Sequence, residues 1–212
     1  KPTYTIKEIE NNTISLLDDS VKYRLISDVP LGTYCSGGID SSLVTAIASK
    51  YSTNRFNTFC IKFTDKDWDE SEYAQIVSSQ YNTIHHNILV DETNFFKDIF
   101  KLTWFFDEPI SHPNSVPIYF LSKYARNYVT VTLTGEGADE MFSGYPRHNI
   151  IKIYDLFKFL PSKLLKVASK LLDHSPNHKF KKLAYSFSLD AREMILYNSF
   201  FNRHTMINRI LN

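Results

Sequence analysis

The chain carries no excess of charge of one sign: 24 basic and 23 acidic residues leave a formal net charge of +1. The two signs alternate along it, so it lacks the basic face with which a protein grips a polyanion, and nucleic acid is excluded as a partner. It also lacks any run of about 18 consecutive apolar residues, which excludes a conventional membrane-spanning helix. The start, Lys1-Pro2-Thr3-Tyr4, has neither an initiator Met nor the apolar core of a secretory signal, and reads as the beginning of a segment from a longer protein. Cysteine is scarce. Cys35 and Cys60 each sit inside an apolar run that reads as a buried strand, which favours free core thiols over a disulfide or a metal pair and suits a reducing cytoplasm. Internal repeats and low-complexity tracts are lacking too.

What is present is enough apolar material, 43% hydrophobic and 15% aromatic over 212 residues, to build the core of one large domain. Ile9, Ile14, Leu17, Val21 and Leu25 recur at helical intervals and predict an amphipathic helix over residues 5–25. A strand follows over 29–35. Residues 41–51 place Leu43, Val44, Ile47 and Ala48 on one helical face, and 56–63 return as a second apolar, β-rich run. Asp69 and Glu70 suit a helix start before Tyr73, Ile76 and Val77, and 83–90 read as a third strand. Residues 93–127 are helical in pattern but carry Pro109, Pro113 and Pro117, which predicts two helices joined by a structured loop. Residues 129–134 are a β-branched fourth strand.

Strands and helices alternating in this way predict an α/β fold, a parallel sheet with helices on both faces, whose ligands bind beyond the carboxyl ends of the strands. From about residue 149 the pattern is helical, with a break near His174 to His178. The stretch 159–172, where Lys163, Lys166 and Lys170 interrupt an apolar stripe, has the look of a cationic membrane-surface helix; an ordinary amphipathic helix with solvated lysines is the preferred reading.

Two loops carry chemistry. Ser36-Gly37-Gly38-Ile39-Asp40-Ser41-Ser42 joins a buried strand to a helix, so backbone amides and a helix N-terminus converge on one spot suited to an anion. The glycines let a phosphate approach the main chain, and the hydroxyls of Ser36, Ser41 and Ser42 add donors. The Gly-Lys-Ser/Thr ending of the common phosphate loop is missing, which points to a different nucleotide chemistry. A plain turn in which Asp40 or Ser41 caps the helix is the simpler alternative. The second loop, Thr134-Gly135-Glu136-Gly137-Ala138-Asp139-Glu140, holds three carboxylates within five residues. If the first and fourth strands are neighbours, Asp40 and Asp139 face each other and share a Mg²⁺ that also binds ATP phosphates. For Asp139 the competing reading is a helix cap.

Together these loops resemble the synthetase domain of class B, glutamine-hydrolysing asparagine synthetases, members of the ATP-pyrophosphatase (PP-loop) superfamily. The likeness extends to Ser27-Asp28-Val29-Pro30-Leu31-Gly32, Phe59 to Phe63, Asp69-Glu70-Ser71, His85-His86, Phe106-Asp107-Glu108-Pro109 and Gly144-Tyr145. It implies that ATP is cut between its α and β phosphates. A substrate carboxylate, the aspartate side chain in the family, becomes an acyl-adenylate, and ammonia then displaces AMP to form an amide. Asp40 and Asp139 match the family's Mg²⁺ ligands, and Ile61 and Gly135 match positions flanking the nucleotide, although Ile61 by itself reads as strand core. Glu136 matches a catalytic residue that is glutamate in asparagine synthetases and tyrosine in β-lactam synthetases. His85 and His86 point to opposite strand faces and read as structural.

The resemblance divides the chain into a synthetase domain, 1–148, and a helical extension of it, 149–212, that looks truncated. It implies ammonia from a glutaminase domain that these residues do not contain, in a cytoplasmic enzyme whose homodimerisation stays open. It also places a phosphate-side lysine past the match to Asn212. Amidation of another carboxylate, such as a sugar acid, and a noncatalytic nucleotide-binding domain are the competing readings, and the intact Asp40, Glu136 and Asp139 argue against the second.

Overall fold

Residues 4–90, 92–110, 114–145 and 167 are described by the computed structural model. The first helix, α1 (Ile6–Arg24), starts where Thr5 and Glu8 satisfy each other: the Glu8 amide donates to the Thr5 hydroxyl at 3.3 Å and the Thr5 amide to the Glu8 carboxylate at 2.8 Å. Its apolar spacing predicts a buried stripe, yet only Val21 is buried, and Ile9 and Ile14 remain 51% and 65% exposed. The helix lies against α2 (Ile39–Tyr51), where Asp18 accepts from Lys50 at 2.8 Å and from the Tyr51 hydroxyl.

Four strands form one parallel sheet, β1 (Leu31–Tyr34), β2 (Asn57–Phe63), β3 (Ile84–Val90) and β4 (Val131–Leu133), in the order β3-β2-β1-β4. β1 is shorter than its apolar run because Pro30 has no amide to donate; its carbonyl instead accepts from Thr130 at 2.9 Å. Between them run α2, α3 (Ser71–Gln80), α4 (Glu92–Phe106) and α5 (Ser115–Ala125). Pro117 does not break α5 as its type predicts. It lies buried in the first turn, where the missing amide has no intrahelical acceptor to lose. Pro109 does fall between the two helices, and Pro113 is outside the described residues.

Each sheet face has its own core. Thr33, Cys35, Thr58 and Cys60 face α2 and α3, with Cys35 and Cys60 packed on Ala74 and Val77 and a 3.0 Å bond between the Thr33 and Thr45 hydroxyls. Of the predicted apolar face of α2, Ala48 is buried whereas Leu43 is exposed, and the other buried residue is the polar Thr45. On the other face Phe59 packs with Leu121, Ala125 and Val129 under α5, and α4 packs on α5. Full burial of a side chain such as Phe59 stabilises by roughly 1.5–3 kcal/mol. The adjacent histidines split between the faces as alternation requires: His85 Nδ1 bonds Thr58 at 2.9 Å, while His86 stacks on Phe59 at 5.0 Å and reaches Asn57 at 2.9 Å.

The chain divides into two compact units, Lys1–Glu136 and Gly137–Asn212. The sheet and α1 to α5 belong to the first. In the second, α6 (Ala138–Phe142) follows Gly137, whose φ of +94° favours glycine. Apart from position 167, the predicted helices beyond residue 149, the break at His174 to His178 and the lysine-bearing stretch 159–172 lie outside the described residues. Among the described residues no helix is long and apolar enough to cross a membrane.

Candidate functional site

The strand order locates the site. From β1 the chain moves through α2 to β2 on one side, whereas β4 arrives on the other, so the sheet reverses direction between β1 and β4. Loops diverge at such a switch point and leave a crevice beyond the strand ends. The condition set on the two loops, that β1 and β4 be neighbours, is met: Leu31, Gly32 and Thr33 pair with Val131, Thr132 and Leu133.

The loop after β1 is held rigid by its own groups. Gly37 adopts a φ of +87°, and a Cβ there would collide with Tyr73 and lie 2.6 Å from the Ala74 amide, so only glycine lets the loop lie on α3. The Ser36 hydroxyl takes the Gly38 amide at 3.3 Å and bonds the Ser41 hydroxyl at 3.0 Å, and Ser41 in turn donates to the Gly38 carbonyl. Ser36 and Ser41 thus brace the loop. Ser42 Oγ is buried without a protein partner, the single such side-chain oxygen among the described residues. α2 begins at Gly38 with no side-chain cap, so neither Asp40 nor Ser41 fills the capping role. Asp40 is exposed in the first turn, where its charge suits the helix dipole.

Gly135, after β4, is seated on this loop. A Cβ on it would stand 2.7 Å from the Ser41 amide and 2.9 Å from the Asp40 Cβ, closer than packed atoms tolerate. The two loops meet through backbone that only glycine allows. Glu136 comes next, exposed, with its amide bonded to the Thr134 hydroxyl at 3.2 Å. Asp139 lies in the second unit, in the first turn of α6. The helix starts at Gly137 without a side-chain cap, so Asp139 is not its N-cap. Its backbone carbonyl accepts from Gly144 at 3.0 Å. Glu140 accepts from the Tyr145 hydroxyl.

Beside the loops opens a cleft of about 250 Å³ at the carboxyl ends of β1 and β2. Tyr34, Phe59, Ile61 and Leu121 give it apolar walls, with Pro117 and Ile118 of α5 opposite, and Ser36, Trp68, Glu70, Asn114 and Glu136 stand at its edges. Ile61 and Glu136 therefore share one cavity, which Gly135 does not line. Sequence reasoning passed over Trp68 and Asn114; an indole set among acids just past a strand end was the one signal available for Trp68. Beneath the cleft burial pushes the Cys35 thiol up, and burial reinforced by nearby Cys35, Asp69 and Glu70 pushes Cys60 up to about 12. Both are free, protonated core thiols, as their surroundings in the sequence predict.

Comparison with known proteins agrees with the sequence patterns. The family described as asparagine synthase matches residues 12–208. The chain is 40% identical over 172 residues to putative glutamine-hydrolyzing asparagine synthetase 2 of Methanocaldococcus jannaschii, covering 81% of this chain and 33% of that protein. It is 34% identical over 149 residues to glutamine-hydrolyzing asparagine synthetase 1 of Bacillus subtilis, covering 70% of this chain and 23% of that protein. The chain thus spans a third or less of the length of these relatives. Among solved structures, NMN synthetase from Francisella tularensis is similar at 14% identity and a TM-score of 0.47, with 92% of this chain and 93% of that one covered.

Proposed function

This chain belongs to the asparagine synthase family, and on that premise we propose that it is the ATP-using part of an amide-forming ligase. A carboxylate oxygen of the substrate, taken to be the aspartate side chain, attacks the α-phosphorus of ATP. The α–β phosphoanhydride bond breaks, pyrophosphate leaves and an acyl-adenylate remains. Ammonia from a glutaminase domain then attacks the acyl carbon, the acyl–oxygen bond breaks, and AMP leaves as the amide forms.

The observation that carries this reading is the junction of the two loops. Gly135 packs on Asp40 and Ser41, so the amide-rich loop after β1 and Glu136 border the same crevice at the strand ends. Amides of a loop braced by Ser36 and Ser41 suit the pyrophosphate as it departs, because they need no rearrangement as its charge develops. Ser42 Oγ fits the same role, since a buried hydroxyl without a partner costs about 1–3 kcal/mol that a ligand contact would offset. Glu136, exposed at the edge of the cleft, takes the proton that ammonia loses as it attacks.

For Mg²⁺, no three carboxylate, imidazole or thiol groups cluster among the described residues. Hard carboxylate oxygens, those of Asp40 and Asp139 in the family pattern, suit a Mg²⁺ that takes its other ligands from phosphate oxygens and water. When bound, it offsets phosphate charge. The test is ATP–pyrophosphate exchange by the full-length protein against a panel of carboxylic acids. Aspartate is expected to stimulate exchange; stimulation by a sugar acid alone would replace the substrate, and none by any acid would refute carboxylate activation.

A further inference from the structure

We propose that Trp68 is the platform on which the purine ring of the nucleotide stacks, which makes it a positioning residue for the reaction. This rests on the nucleotide reading above and divides the ligand between two surfaces. The cleft is bordered by two carboxylates, Glu70 and Glu136, with no cationic side chain among the described residues that line it. A polyphosphate is repelled there, whereas an uncharged planar ring is not. Ser36 lies both in the cleft wall and in the loop suited to phosphate, so one extended molecule can hold its base in the cleft and its phosphates at the loop.

Trp68 suits that role by placement. Its indole is 74% exposed although it borders a cavity walled by Phe59, Ile61, Pro117 and Leu121. The segment presenting it is a fixed turn: the Trp68 amide donates to the Asp65 carbonyl at 3.2 Å and the Asp67 amide to the Asp65 carboxylate at 3.0 Å. On the far side the Asp69 carboxylate takes both the Ser71 amide and its hydroxyl at 3.1 Å, which ties the turn to α3. A large ring held open to solvent beside an apolar wall has a π face left to offer, and base stacking uses such faces without reading hydrogen bonds. Trp104 makes the contrast: it is 81% exposed on α4 and does not line the cleft.

The test measures binding of adenosine, AMP and inorganic tripolyphosphate to the full-length protein by calorimetry, for wild type, W68A, W68F and W104F. W68A is expected to weaken adenosine and AMP roughly 5- to 100-fold, the range that loss of one base–aromatic stack gives, and to leave tripolyphosphate unchanged. W68F should restore most of the loss, and W104F should match wild type. Equal weakening of tripolyphosphate by W68A would overturn the proposal in favour of a structural role for the turn. Unchanged adenosine binding in W68A, with wild type binding all three ligands, would overturn stacking while leaving the nucleotide site intact. Failure of wild type to bind any of the three would remove the nucleotide reading and this proposal together.

Discussion

Two clefts of nearly equal size flank the sheet, about 250 Å³ beyond the carboxyl ends of β1 and β2 and about 240 Å³ near the amino ends of β2 and β3. Volume does not separate them; the state of their polar groups does. Around the amino-end cleft the polar groups satisfy one another. Arg55 donates to the Asn82 and Thr83 carbonyls at 3.0 and 2.7 Å, Thr83 donates to the Ser78 hydroxyl at 2.8 Å, and His85 bonds Thr58 and Asn87. Such a network closes the end of α3 and the start of β3 and leaves little for a ligand to contact. At the carboxyl end the walls are apolar, Glu136 and Trp68 are exposed, and a buried Ser42 hydroxyl is unpaired within the neighbouring loop. A binding site is recognised by what its groups have not yet bonded.

The largest effect that sharpens this contrast belongs to Glu136. Glu136→Gln keeps size and hydrogen bonding but removes the base, so ammonia-dependent amide formation should fall about 10²- to 10⁴-fold. Substrate-stimulated ATP–pyrophosphate exchange should persist; equal loss of both activities would move Glu136 to the adenylation step or to structure. At the other cleft, Arg55→Met should cost about 1–3 kcal/mol in denaturant unfolding, as expected for hydrogen bonds from a charged donor. It should leave the KM for ATP unchanged. A raised KM would put a ligand where the contrast allows none.

The smallest effect is one of pH. Burial lowers the pKa of His85 below its ordinary 6.5, as it does for His86, because the imidazolium is the form that desolvation penalises. Folded imidazoles then hold fewer protons than unfolded ones between those lowered values and 6.5, so stability is complete above 6.5 and declines as pH falls through that window. Denaturant midpoints measured on either side of 6.5 should show the decline, and His85→Gln should flatten it. A midpoint that rose on acidification would contradict the lowering of the His85 pKa by burial.

The alternation of strand and helix was legible because each element repeats a local pattern: an apolar, β-rich run at residues 56–63, a β-branched one at 129–134, and helical spacing in α2 and α3. The carboxyl-end loops were legible for the same reason, since Ser36 to Ser42 and Thr134 to Glu140 follow recognisable strands. What escaped depends on residues distant in sequence. Nothing near Gly135 announces that it must pack on Ser41, and the pairing of the Ser36 and Ser41 hydroxyls follows from a loop shape that Gly37 sets by lying on Tyr73 and Ala74. The cleft itself joins Phe59 to Leu121 across the sheet face, so its lining could not be assembled from local pattern. Pro117 escaped because its cost vanishes in a first turn, a boundary that residue type alone does not locate.

The central claim, that the nucleotide occupies the carboxyl-end loops and cleft rather than the amino-end cleft, is tested most directly by amide hydrogen exchange of the full-length protein with and without ATP·Mg²⁺. Protection is predicted in residues 35–42, 61–70 and 134–136, with residues 75–85 unchanged. Protection confined to residues 75–85, or none at 35–42 under saturating nucleotide, would contradict it.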